Sequence, residues 1–191
     1  MPVTAHDVLD FWFADTGAAH WFVADAAFDA QIRERFSSAA DAAADGRLDG
    51  WAATPAGGLA LLILLDQFPR NLYRGDSRAW AQDARAQRVA LSGIARGDDR
   101  RLPPLQRVFA YLPLEHAEDR GLQQQSVALF EALCAEVSPP QRRRFQEFLE
   151  YARRHRDTIA RFGRFPHRNV ALGRTSTPEE VIHLVQPDSG F

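Results

Sequence analysis

Three segments of this sequence concentrate side chains able to do chemistry. The first is Asp66-Gln67-Phe68-Pro69-Arg70-Asn71-Leu72-Tyr73-Arg74-Gly75. The second is Gly163-Arg164-Phe165-Pro166-His167-Arg168-Asn169-Val170-Ala171-Leu172-Gly173-Arg174. Both place Phe-Pro, then Arg-Asn, then a further arginine beside glycine, and the second carries one extra residue, His167. A guanidinium is a planar fork that matches carboxylate or phosphate. Arg70, Arg74, Arg164, Arg168 and Arg174 are therefore candidate anion-binding groups. Asn71 and Asn169 would orient the ligand, and Asp66 would hold the forks in place. The third segment runs Tyr111-Leu112-Pro113-Leu114-Glu115-His116-Ala117-Glu118-Asp119 and on to Gln123. Continued as a helix, it would put His116, Asp119 and Gln123 on one face at steps of three and four. Glu115, His116 and Asp119, with His167, could supply an acid–base pair or bind a divalent cation.

Each of these residues also has a purely structural reading. Proline stops a helix, arginine near a helix C-terminus meets free carbonyls, and asparagine accepts turn conformations. Asp119 can cap the next helix while His116 bonds locally. Asp66 fits that reading least well. A negative charge in the last turn of an apolar helix is disfavoured by about 0.3–1 kcal/mol, and a buried one needs a partner. Arg70 lies four residues on, but Pro69 is expected to break the helix between them, so Arg74 or Arg168 is the expected partner. His155 falls on the apolar seam of a long helix and reads as a hydrogen-bonded core residue.

The elements that must position these groups are helices. Thr4 is the expected N-cap of a helix through Phe13. Residues 26–44 carry Phe28, Ile32, Phe36, Ala39 and Ala43 on one face, and Gly46 ends that helix. Thr54-Pro55 opens a helix, apolar on nearly every face, that runs to about Phe68 and stops at Pro69. Asp76-Ser77 caps a helix over about 78–95. Pro103-Pro104 opens another, which Pro113 ends or kinks. Helices over 119–136 and from Ser138-Pro139 to about Phe162 follow. Thr177-Pro178-Glu179-Glu180 reads as a capping box for a short last helix. The expected fold is all-α, a compact array of antiparallel helical hairpins forming a single helical domain over residues 1–191.

Composition narrows the classes. The chain has 191 residues, net charge −2 and 46% apolar residues, which suits an ordinary globular protein. All 23 basic residues are arginine. That near-neutral balance gives no reason to expect nucleic acid or an anionic membrane as partner. Cys134 is the only cysteine, so no internal disulfide is possible, consistent with a cytoplasmic location. The N-terminus lacks a signal-peptide pattern. The longest apolar run, Leu59 to Leu65, is shorter than the roughly 20 residues a membrane span needs. A phosphate-binding glycine loop, His-Glu-x-x-His, Cys-x-x-Cys and a serine-nucleophile elbow are all missing, which removes several enzyme classes but not enzymes in general. No cofactor is implied.

At the segments above, the chain resembles a bacterial family known as domain of unknown function number 924. The matching strings are Val8-Leu9-Asp10-Phe11-Trp12-Phe13, Leu64 to Gly75 with Asp83 beyond it, Tyr111 to Asp119, and Arg161 to Glu180. The resemblance implies a fold like that of tetratricopeptide-repeat proteins and supplies no activity to carry over. Three functions stay open. One is a small anionic ligand held, and acted on, in an Arg/His/Glu-lined pocket shared by the two arginine turns. Another is a clamp for an acidic peptide or C-terminal carboxylate. The third is a metal-dependent hydrolase built on Glu115, His116 and Asp119, with His155 or His167.

Overall fold

Thr4 accepts from Asp7 N through its hydroxyl, while the Asp7 carboxylate returns to Thr4 N, and this capping box starts α1, Ala5–Phe13. Reciprocal satisfaction of otherwise orphaned N–H groups is what lets so short a helix form at the chain end. A computed structural model describes residues 2–186, and among them every regular element is helical. The helices fall into two compact units. One comprises residues 1–74 and 78–113, the other 75–77 and 114–191.

The first unit contains α1, the short α2 (Asp15–Ala18), α3 (Ala26–Ala44), α4 (Pro55–Leu62), α5 (Phe68–Leu72), α6 (Asp83–Ala95) and most of α7 (Pro104–Glu115). α1 packs on α4, α3 on α5, and α4 on α6. Asp25 caps α3 by accepting from Ala27 N and Phe28 N. Gly46, at φ 83°, lets the chain leave α3, a conformation that glycine adopts without steric cost. The core is aromatic. Trp12 is fully buried and touches Trp21, Phe28, Phe68 and Phe109 at 5.6–6.3 Å between ring centroids.

Two expectations are corrected in this unit. Pro69 does not stop the α4 helix. The backbone passes from α4 through a π-turn, Ile63–Gln67, directly into α5, with the Phe68 N–H bonded to the Ile63 carbonyl five residues back. The wider turn carries the chain past the position where proline lacks its N–H. The helix expected over 78–95 is instead a 3-10 turn, Ser77–Trp80, followed by α6. Its buried residues are Asp83, Ala86 and Ala90. Asp83 points inward because an arginine of α5 meets it there.

In the second unit, α8 (Arg120–Glu136) and α9 (Pro139–Phe162) form an antiparallel hairpin. Arg120 at the start of α8 donates to the Ala160 carbonyl near the end of α9. α9 buries Phe145, Leu149, Ala152, His155, Thr158 and Ile159, one stripe at helical spacing. Gly163 ends it at φ 71°. A 3-10 turn, Pro166–Arg168, and α10 (Pro178–Leu184) complete the unit, α10 being opened by the expected Thr177–Glu180 capping box.

Candidate functional site

The first arginine turn lies in the first unit. Asp66, 1% exposed, sits in the π-turn. Arg70 reaches it with Nη1 at 3.2 Å from Oδ1, and its Nη2 donates to both Asp83 oxygens at 3.0 and 3.2 Å. The expectation that Pro69 would separate Asp66 from Arg70 is therefore wrong, because the helix runs on and keeps the i,i+4 relation. Burial alone would lower the Arg70 pKa, but the Asp66 and Asp83 carboxylates outweigh it and hold the guanidinium above its ordinary value. Asn71 Nδ2 donates to Asp29 Oδ1 at 2.8 Å. Arg74 forks onto the same carboxylate at 2.6 and 2.9 Å, and its pKa rises chiefly through that hydrogen bond.

Asp29 is a partner that the sequence reading missed. Its signal was position: it follows Phe28 on the buried side of α3, where a carboxylate must be answered by a cation.

The second turn and the Glu-His segment lie in the second unit, and there they meet. Glu118 accepts from Phe165 N at 2.8 Å and from Arg174 Nη1 and Nη2 at 2.7 and 2.9 Å. Arg164 forks onto Glu180 at 2.7 and 2.8 Å. Asn169, wholly buried, donates to Glu180 at 3.2 Å and to Ser176 Oγ at 3.0 Å. The Arg164 hydrogen bond, with the Thr177 N–H and Asn169, brings the Glu180 pKa down to about 2 against the opposing effect of burial. Glu118 and Glu180 were legible only as a segment member and a capping residue, yet they anchor Arg174, Arg164 and Asn169.

Around His155 the arrangement differs. Its Nδ1 lies 2.9 Å from the Tyr151 carbonyl and 3.2 Å from Glu115 Oε1. Two acceptors at one nitrogen place the proton on Nδ1, which leaves the lone pair on Nε2. Gln123, fully buried, donates to the carbonyls of Glu115 and Ala117 and fixes that turn. The His116 ring stands 6.0 Å from the His155 ring and the Phe165 ring 5.5 Å from it. Arg168, 5% exposed, donates to the His116 carbonyl at 3.1 Å, with its guanidinium 4.5 Å over Phe165. The His167 ring is 5.6 Å from Phe165. Burial drives the His155 pKa well below 6.5, and His116, Arg168 and His167 push it further down, while the Tyr151 carbonyl resists. His155 was expected to be a core histidine, and it is one.

His116, Asp119 and Gln123 do not share a continuous helix face. α7 ends at Glu115, and Asp119 is the N-cap of α8, accepting from Leu122 N at 2.8 Å. The free N–H groups at the start of α8 take the Asp119 carboxylate, the capping role its structural reading expected. Among the described residues, no group of three or more His, Cys, Asp or Glu side chains is placed to hold a metal ion.

A family model described as a bacterial protein of unknown function, DUF924, matches residues 8–188. The chain belongs to this family. A solved structure of a protein of unknown function from Agrobacterium tumefaciens is 44% identical, covers 95% of this chain and 96% of its own, and superposes with a TM-score of 0.85. Among curated proteins, none matches. In this DUF924 chain the family match spans both arginine turns and the Glu-His segment.

Proposed function

We propose that the second unit binds a small anionic ligand, a carboxylate or phosphate ester, beside His155, and that the Glu115–His155 pair takes a proton from it. The observation that carries this reading is convergence. His116 from the end of α7 and His167 and Arg168 from the turn after α9 bear electrostatically on one buried, neutral imidazole. Three cation-forming groups around an uncharged base favour an anion. A neutral histidine with its lone pair on Nε2 is the form able to accept a proton.

The other arginines first considered for an anion are tied to carboxylates of their own unit: Arg70 to Asp66 and Asp83, Arg74 to Asp29, Arg164 to Glu180, and Arg174 to Glu118. These pairs favour a holding role for them and count against a clamp for an acidic peptide. The tetratricopeptide-like label would support such a clamp only through an open array of repeats. The metal-dependent hydrolase lacks a three-ligand cluster among the described residues.

The test is calorimetric titration of the full chain with inorganic phosphate, citrate and a nucleoside monophosphate. Saturable binding that weakens about tenfold or more in Arg168→Ala, with helical content retained, supports the reading. Equal binding by the variant, or no binding of any probe, overturns it.

A further inference from the structure

A second site lies in the first unit. Thr54, α4, α6 and the loop into α7 enclose an apolar pocket with about 30 Å³ of space, walled by Leu59, Leu62, Ile94, Leu102 and Ala110 among others. Glycine stands at two helical positions on that wall, Gly58 of α4 and Gly93 of α6. Neither has a positive φ. A Cβ on Gly58 would meet only Ala52 Cα at 3.9 Å, and one on Gly93 only Arg96 Nη2 at 4.0 Å. Nearby Gly57 differs, since its Cβ would strike the Trp51 carbonyl. Glycine inside a helix weakens it relative to alanine. Packing does not require that cost at 58 and 93, and its result is open space.

The same two neighbours, Ala52 and Arg96, mark the mouth. Arg96 Nη2 donates to the Ala52 carbonyl at 3.0 Å, which holds the half-exposed guanidinium beside the turn leading into Thr54. Arg96 and Thr54 both border the pocket. Each keeps a donor in reserve. Arg96 places Nε and Nη2 on Asp98 at 2.8 and 2.7 Å, and its Nη1 has no partner among the described residues. The Thr54 oxygen accepts from Gly57 N at 3.1 Å, and its hydroxyl proton has no acceptor among them either. Asp98 also answers Arg101 at 3.7 Å, so two guanidiniums share one carboxylate there. Asp99 borders the pocket too, but it is 5% exposed and taken by the Tyr111 hydroxyl at 2.7 Å.

We propose that this pocket takes the alkyl end of a short aliphatic carboxylate, whose head group lies at the mouth on Arg96 Nη1 and the Thr54 hydroxyl. The observations select the class. The walls favour methyl and methylene groups, and the space admits about two or three heavy atoms. Two donors without acceptors, beside guanidiniums that outnumber their carboxylate, favour a head group that is anionic and only accepts.

The test uses the full chain and sodium n-butyrate, followed by amide chemical shifts at constant ionic strength. Acetate, n-butanol and n-butylammonium chloride serve as comparisons. Saturable shifts at residues of α4 and α6 are expected for butyrate at millimolar concentrations, with binding about threefold or more weaker for each comparison. Arg96→Gln should bring butyrate down to the level of butanol. Gly93→Leu fills the space while favouring the helix, so it should abolish butyrate binding and leave the thermal midpoint unchanged or raised. If Arg96→Gln fails to fold, Gly93→Leu and the four probes on the parent chain decide. Acetate or butanol binding as well as butyrate, either variant binding butyrate unchanged, or shifts confined to the second unit overturns the proposal.

Discussion

Burial decides what His155 is. An exposed histidine titrates near 6.5, but this one is 4% exposed and faces His116, His167 and Arg168, so its protonated form is disfavoured. Nitrogen chemical shifts of the ring should report a neutral, Nδ1-protonated imidazole from pH 8 down through pH 6.5. A midpoint at or above 6.5 would contradict that environment. The sign for stability follows. The unfolded chain takes up this proton below pH 6.5 and the folded chain does not, so the group destabilises the fold as pH falls below that value and has no effect above it.

Arg70 carries a different kind of prediction. Arg70→Ala takes the shared cation away from Asp66 and Asp83, both buried, and should cost about 3–5 kcal/mol in urea unfolding. A loss under about 1 kcal/mol would mean the cluster is solvated. That Asp66 required a cation was legible, because charge and helix position stand in the sequence. Which cation was not, because the answer turned on whether the backbone continued past Pro69.

Helix boundaries were read best where a cap marks them. The 26–44 helix and the one from Pro139 to Phe162 sit where Asp25, Gly46, Ser138 and Gly163 put them. The capping box at Thr177 is likewise local, and Thr177→Ala should lower stability by about 1 kcal/mol, measured as a shift in the denaturation midpoint. Elements whose form depends on tertiary contacts were not legible. The inward turn of Asp83 is answered by Arg70 on another helix, and the break before α6 has no cap or proline to mark it in the sequence. The turn between α7 and α8 was half legible: Asp119 caps α8, as its structural reading had it, while the Gln123 bonds to the Glu115 and Ala117 carbonyls depend on packing and were not visible. The candidate site divides the same way. Its residue types were visible, while its anchors Asp29, Glu118 and Glu180 were set by which faces meet.

At the scale of the whole chain, acidic groups are what hold the arginines, so stability should fall in acid. Glu180 drops from an ordinary 4.5 to about 2, and Glu118 is also lowered, by Arg174 and the Phe165 N–H against the effect of burial. A depressed carboxylate stabilises the fold above its unfolded pKa and loses that contribution as pH falls through its folded one. For Glu180 the window runs from about pH 4.5 to about pH 2. Glu180→Gln should therefore be less stable than the parent at pH 7, and the difference should shrink on approach to pH 2, as followed by circular dichroism. A constant difference across that range would assign the effect to packing instead.

The π-turn before Pro69 has a consequence for how this chain tolerates length changes. An α-helix advances about 100° per residue, and a π-turn takes one extra residue into a single wider turn, so the helix after it keeps the phase it would have had without that residue. Deleting Leu64 or Leu65 would restore an ordinary spiral and leave Arg70, Asn71 and Arg74 directed at positions 83 and 29 as before. A further insertion has no second wide turn to absorb it and would swing those side chains around the axis, so one added residue in this hydrophobic stretch should be far less forgiving than one removed.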